Sequence, residues 1–364
     1  MQRRVRVGLK ANLRRGPGWR EPVCRLAGLG LCLSLLSGCG IGFLWHVSVG
    51  QLSLLSRRQP VEEALQGGGL SAKERDKLHL ILDVRRFAIE HLGLHADDSY
   101  TTFVDVGGPF VSYNVSAAPK DALEPYIWRF PIVGQVPYKG YFKKPGAIRE
   151  AQKLKEQGYD TYVRGVRAYS TLGYFNDPIL SSMLAYPDFA LIQTIIHELV
   201  HQTVWINGSV SFNESLASFV ADKGARAYLT QRDGEASPAY RHYVDIQADN
   251  QVFRTYMHGV VKRLEALYQR PLSREEKLHR REVVFAEARD QYPKVFPQMR
   301  TQWYRRYFKR RPLNNAVLLS FRRYNQDMSF FETALASHNG DLSAMLMAFQ
   351  SLRAEDIPAV FQTP

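Results

Sequence analysis

Five consecutive residues, His197 to His201, have the types and spacing of a zinc-dependent hydrolytic site, in the order HExxH. Two histidines four residues apart on a helix share one face, so both imidazoles can reach a single ion. A glutamate beside the first histidine can take a proton from a water on that ion. The pattern therefore predicts that His197 and His201 are metal ligands and that Glu198 is a general base.

The surroundings of the motif predict a third ligand. Residues 188–205 are mainly apolar and indicate one buried helix, which a break at residues 207–209 follows. A second helix is expected to open at Ser211 or Asn213, and a short turn would bring Glu214 beside the histidines. Two other readings stay open: the histidines can be hydrogen-bonded core residues, and Glu214 can be an acid that favours an early helical position.

These motifs resemble known peptidases. Asn213 to Ala217 has the NExxA pattern that follows HExxH in the gluzincins. Residues 168–180, 197–202 and 212–215 together resemble the bacterial family of predicted aminopeptidases. The resemblance implies a zincin-like fold, one Zn²⁺ ion and peptide hydrolysis. Gluzincins often carry an aspartate four residues after the ligand glutamate, whereas this chain has Ser218 there.

The first 38 residues are typical of a secretion signal. They carry eight Lys or Arg and one Glu, then a short apolar stretch that ends in Leu-Ser-Gly before Cys39. This order matches the bacterial lipobox and predicts that Cys39 is lipidated. With Gly40 next, the resemblance implies a lipoprotein of the cell envelope, on the outer membrane and facing the periplasm. An uncleaved N-terminal anchor is the alternative.

Removal of the leader changes both the net charge and the cysteine content of the chain. The chain has a formal net charge of +13, which falls to about +6 without residues 1–38. A nucleic-acid partner is therefore not expected. The three cysteines are Cys24, Cys32 and Cys39, so the mature chain would contain no disulfide.

The order of the remaining segments predicts an α+β, predominantly helical fold of the zincin kind. A small mixed or antiparallel sheet is expected first, then the HExxH helix and a helical C-terminal half. The predicted parts are a signal peptide (1–38), a lipidated tether with a short helix (39–70), an N-terminal helix with a β-rich subdomain (71–187) and a helical catalytic subdomain (188–364).

Further site residues are assigned by analogy with zincins, whose edge strand binds extended substrate. The stretch from Tyr169 to Phe175, with Leu172 and Gly173, is the predicted substrate strand, although it can also be an ordinary strand. Asp177 could hold the free amine of a substrate, or could simply form a turn. Tyr324 is the predicted donor to the oxyanion, because it and Asn314 to Ala316 resemble a motif of the family.

The sequence thus predicts a monomeric, lipid-anchored, single-zinc metallopeptidase, a hydrolase that acts on peptides as an aminopeptidase. Its chemistry would be attack of a zinc-bound water with Glu198 as the base. The alternative is a catalytically silent zincin-like envelope lipoprotein that binds peptides or a partner protein. Cleavage at chain ends or at internal bonds stays open.

Overall fold

Helices make up most of the computed structural model, and the strands among the described residues are short and lie in the N-terminal half. The structure describes residues 50, 52–130, 134–168, 176–310, 313–323 and 328–361. Residues 50–364 form one compact unit. The predicted α+β, predominantly helical class is confirmed.

The N-terminal part opens with β1 (Gln59–Pro60), α1 (Val61–Gln66) and α2 (Ala72–Leu92). Ser71 and Glu74 form a reciprocal capping box at the start of α2. Gly93 ends the helix with a φ of 66°, a left-handed conformation that glycine adopts without a steric penalty. The capping signals in the sequence therefore match the observed ends of this helix.

The strands form two three-stranded sheets and one hairpin in the described part of the chain. In the first sheet β1 pairs antiparallel with β2, and β2 pairs parallel with β8. In the second, β3 lies between β6 and β7 and is antiparallel to both, while β4 and β5 form the hairpin. These strands are β2 (Thr102–Val104), β3 (Ser112–Pro119), β4 (Trp128–Phe130), β5 (Gly134–Val136), β6 (Lys139–Tyr141), β7 (Tyr159–Val166) and β8 (Ile179–Leu180).

Helix α3 (Lys144–Glu156) packs on the second sheet within a stretch that the sequence analysis read as β-rich. Its buried residues Ala147, Ala151 and Leu154 recur at helical spacing and share a small core with Val115 and Trp128. Pro145, at the first turn of the helix, is compatible with a helix start. The prolines and glycines that surround this segment obscured that periodicity.

The C-terminal half is helical, as expected. The 3₁₀ turn Ser181–Ala185 leads into it, and further 3₁₀ turns cover Tyr292–Gln298, Ala354–Asp356 and Ala359–Phe361. The helices are α4 (Asp188–Thr203), α5 (Val210–Asp233), α6 (Pro238–Tyr268), α7 (Arg274–Gln291), α8 (Tyr307–Arg310), α9 (Asn315–Arg323), α10 (Ser329–Ser337) and α11 (Leu342–Phe349).

Helices α4 and α5 lie at the centre of the largest hydrophobic core. Ile192, Ile196 and Val200 of α4 are fully buried, and Phe212 of α5 packs on aromatic rings from α10, α11 and the C-terminal 3₁₀ turn. At Gly224 a Cβ atom would lie 2.7 Å from Leu92 Cδ1, so glycine permits the close approach of α5 to α2. The segment that carries the HExxH motif is thus rigidly packed.

In the part of the chain that the structure describes, no helix is both long and apolar enough to cross a membrane.

Candidate metal centre

The HExxH residues lie on α4, whose first turn is fixed to α2 by a buried lysine. Lys77 is only 6 % exposed, forms an ion pair with Asp188 and donates a hydrogen bond to the carbonyl of Tyr186 at 2.7 Å. Asp188 is also favoured there because a carboxylate stabilises the positive end of the helix dipole. These contacts set the position of the helix that carries both histidines.

His197 and His201 lie one turn apart on α4 and face each other. Their Nε2 atoms are 3.1 Å apart, and their ring planes are at 90°. Two imidazole nitrogens at this distance form at most one hydrogen bond with each other, because only one of them can donate a proton. Their convergence on one point is the arrangement that a shared ion requires.

A side-chain clamp places the third residue. Asn213 is 1 % exposed, accepts a hydrogen bond from Ile206 N at 3.0 Å and donates one to Ile206 O at 2.8 Å. These bonds tie the turn after α4 to the first turns of α5. Helix α5 begins at Val210, with Ser209 rather than Ser211 or Asn213 at its N-cap position, so the predicted helix start was wrong. Asn213 is instead a residue of the interior.

The clamp brings Glu214 against the histidine pair. Its Oε2 is 3.4 Å from His197 Nε2, and its Oε1 is 3.8 Å from His201 Nε2. The three candidate ligand atoms all lie within 4.8 Å of one another. Atoms bound to a tetrahedral zinc at about 2.0–2.1 Å would lie about 3.4 Å apart. The spacing and the His, His, Glu donor set therefore fit a zinc ion.

The electrostatics of His201 also fit metal binding, whereas those of His197 reflect its pairing with Glu214. Burial lowers the pKa of His201 to about 4, helped by the charge of His197, which leaves the neutral imidazole that a metal needs. Burial lowers the pKa of His197 too, but a hydrogen bond with Glu214 and the charges of Glu198 and Glu214 outweigh burial and raise it. His201 Nδ1 is buried without a hydrogen-bond partner in the described structure. A buried polar atom of this kind requires an explanation outside the fold itself.

Glu198 has the electrostatics of an acid–base group. Burial raises its pKa to about 7. The charge of His197 opposes this rise, and the charges of Glu214 and Asp177 add to it. A carboxyl group with a pKa near neutral can both accept and return a proton. The position beside the first histidine, which the sequence pattern singled out, therefore combines proximity to the ligands with a suitable pKa.

Tyr100 and Ser99 are neighbours of this site that the sequence analysis missed. Tyr100 is 2 % exposed and has a φ of 63°, which is strained for a bulky side chain. Its N–H donates to Asp177 O at 2.7 Å, and Asp177 N donates to Ser99 Oγ at 3.0 Å. Burial raises the pKa of Tyr100 well above its usual range, and the charges of Glu198 and Asp177 add to the rise. No motif marks one tyrosine among nineteen.

Asp177 itself is 3 % exposed, and its charge raises the pKa of Glu198, so it lies within electrostatic range of that residue. Asp222, the next acid after Ser218 on that side of α5, accepts a hydrogen bond from Tyr243 at 2.5 Å. Asn315 bonds to the carbonyls of Pro119 and Ala122 and thereby holds α9 against the end of β3. Cys39, Tyr169, Leu172, Gly173 and Tyr324 lie outside the described residues.

Fold and site together define an α+β, mainly helical protein with a His-His-Glu group that can hold a metal ion. A family model described as "Putative aminopeptidase" matches residues 42–359, and the chain belongs to this family. The description of the family suggests peptidase activity. No curated protein and no solved structure matches the chain.

Proposed function

We propose that the protein is a single-zinc peptidase of the gluzincin type, in which His197, His201 and Glu214 hold the ion. One observation carries the proposal: three buried or half-buried donor groups converge at distances of 3.1, 3.4 and 3.8 Å. Membership of the aminopeptidase family supports the choice of a peptide as the substrate. A zincin arrangement of sheet and helices is part of the same proposal.

The bound zinc would supply a Lewis acid that lowers the pKa of a water to about 7 and polarises a carbonyl group. Glu198 accepts the proton of the attacking water and later delivers it to the leaving amine. Burial raises the pKa of Glu198 in the metal-free protein, which supports a role in proton transfer. Lys77 and Asn213 keep the two helices in the positions that this geometry needs.

The proposal also includes roles for individual residues in substrate binding and in stabilisation of the oxyanion. Asp177 is the candidate to hold the free amine of a substrate, which its electrostatic effect on Glu198 supports. Tyr324 is proposed to stabilise the oxyanion, and the segment with Tyr169, Leu172 and Gly173 to bind the substrate chain. Cleavage of matched peptides with free and acetylated N-termini tests whether the protein is an aminopeptidase, since such an enzyme hydrolyses only the free form.

Lipidation of Cys39 is proposed to anchor the protein on the outer membrane, facing the periplasm. The lipobox sequence before Cys39 supports it. Metabolic labelling with a fatty acid tests it: the wild type should incorporate label, and Cys39→Ser should not. Label on the Cys39→Ser protein would contradict the assignment.

Metal analysis combined with a peptide library tests the enzymatic proposal. The purified protein should contain one zinc per chain and hydrolyse peptides, and a chelator should abolish hydrolysis that added zinc restores. Stoichiometric zinc without hydrolysis of any peptide would instead indicate a silent binding protein. Absence of zinc, with hydrolysis unaffected by chelators, would contradict the metal site.

A further inference from the structure

A groove of about 750 Å³ runs along one edge of β7. Five consecutive residues of this strand, 161–165, line it, together with residues of α3. Since consecutive side chains of a strand point to opposite faces, a groove that touches five in a row follows the strand edge. Strand β7 pairs with β3 on its other edge and with no second strand among the described residues. Backbone groups at such an edge can pair with an extended polypeptide.

The charged residues that line the groove all have the same sign. Lys155, Arg164 and Arg167 line it, and no aspartate or glutamate is among the described residues that do so. A groove with cations on its walls and backbone groups along its edge is complementary to an extended chain with acidic side chains.

Arg167 is held in a fixed orientation at one end of the groove. Its Nη1 donates to Pro109 O at 3.2 Å and, more weakly, to Ser182 O at 3.5 Å. Its guanidinium lies 4.8 Å from the ring centre of Phe110 and 5.8 Å from that of Tyr186. A planar guanidinium that is already ordered loses little entropy when it binds a carboxylate through two N–H groups.

The same end of the groove lies near the start of α4, the helix that carries the HExxH motif. Tyr186 lines the groove and lies two residues before α4. Burial raises the pKa of Tyr186, the charges of Arg164 and Arg167 oppose the rise, and the charge of Glu198 adds to it. Tyr186 thus lies within electrostatic range of both the two arginines and Glu198.

We propose that this groove binds the acidic residues of an extended polypeptide, with Arg164 and Arg167 engaging carboxylates of a chain that runs along the edge of β7. The inference rests on the proposed peptidase function and adds a substrate class to it: peptides with acidic residues on one side of the cleavage point.

The test measures peptide binding without turnover. Fluorescence anisotropy on full-length, zinc-loaded Glu198→Gln protein would compare three octapeptides that differ only in Glu, Gln or Lys at alternate positions. We expect the Glu peptide to bind about tenfold more tightly than the Gln peptide, and the Lys peptide most weakly. The double variant Arg164→Gln/Arg167→Gln should remove this preference, whereas Arg289→Gln, an exposed arginine of α7 outside the groove, should keep it.

Two further measurements keep the test decisive. High salt should reduce the preference for Glu peptides in the Arg289→Gln control, because salt screens charge pairs. This measurement does not require the double variant to fold. N-methylation of alternate peptide nitrogens should weaken binding in one register only, since one set of N–H groups faces the strand. Equal affinity for the Glu and Gln peptides would overturn the inference and leave the peptidase proposal intact. A retained preference for Glu peptides in a wild type that hydrolyses no peptide would support the groove and contradict the peptidase proposal.

Discussion

The cluster around Asp160 and the cluster around His201 are both buried and polar, but they differ in how their atoms are satisfied. Asp160 of β7 accepts from Arg281 Nη1 and Nη2 at 2.8 and 3.1 Å and from Asn315 N at 3.0 Å. Arg281 also donates to Lys120 O at 2.6 Å, and Tyr268 donates to Asn315 Oδ1 at 3.0 Å. Strand β7 is thereby fastened to α7 and α9.

In the second cluster several atoms have no protein partner. His201 Nδ1, Gln202 Nε2 and Ser215 Oγ are buried without a hydrogen bond in the described structure. Buried polar groups that are fully paired serve the fold, while unpaired ones with displaced pKa values mark sites that act on something else. Disruption of the cluster around Asp160 should therefore reduce stability, whereas disruption of the cluster around His201 should reduce function.

The largest expected effect is on catalysis in the second cluster. Glu198→Gln should lower kcat/KM for a cleaved peptide by about 10²- to 10⁴-fold, because it removes the proposed base. Zinc content and the urea midpoint of unfolding should stay near those of the wild type. Glu275→Gln, on the exposed first turn of α7, is the matched control and should keep full activity. A loss smaller than about tenfold would mean that Glu198 is not the base.

The first cluster should show the reverse pattern. Asp160→Ala removes the buried carboxylate from Arg281 and leaves it only the exposed Glu282 as an ionic partner, so the free energy of unfolding should fall by up to about 3–5 kcal/mol in urea titrations. Glu287, also on α7, forms an exposed ion pair with Arg263 of α6. Glu287→Ala breaks this pair and should lower the free energy of unfolding by less than about 1 kcal/mol. Similar losses for the two variants would remove the distinction between structural and functional clusters.

Metal removal separates the two clusters further. Zinc at about 100 times its Kd should stabilise the wild type by about 2.7 kcal/mol, and a chelator should abolish this gain. His201→Ala should unfold at the same urea concentration with and without zinc. Glu287→Ala should keep the full response to zinc, because its exposed side chain is not a candidate ligand. A zinc response of normal size in His201→Ala would place the ion elsewhere.

The sequence could predict the parts of the site that local spacing determines. His197 and His201 share a helix face by periodicity alone, and Glu214 follows after one short turn. The contact between Tyr100 and Asp177 could not be predicted, because these residues meet only through the pairing of β2 with β8, strands about 75 residues apart in the chain. Local patterns carry no information on such a contact.

The fold shows the same division. Helices with strong caps, such as α2 with its Ser71 and Glu74 box, could be predicted closely. Helix α3 was missed because its buried face consists mainly of two alanines and one leucine, a weak signal amid lysines. The start of α5 was misplaced because Asn213 has the residue type of an N-cap, yet its side chain bonds to the turn before the helix. Tertiary hydrogen bonds overrode the local preference.

Asn213 connects the two kinds of cluster, since it is fully paired like Asp160 but lies beside a candidate ligand. Asn213→Ala leaves the N–H of Ile206 buried without a partner and removes one of the two hydrogen bonds to its carbonyl, so the free energy of unfolding in a chelator should fall by about 1–3 kcal/mol. Because the clamp also orients Glu214, zinc affinity should fall by about 10- to 100-fold in competition with a chromogenic chelator. The exposed neighbour Asn207, changed to alanine, should alter neither quantity. Lost stability with unchanged zinc affinity would show that the clamp only holds the turn.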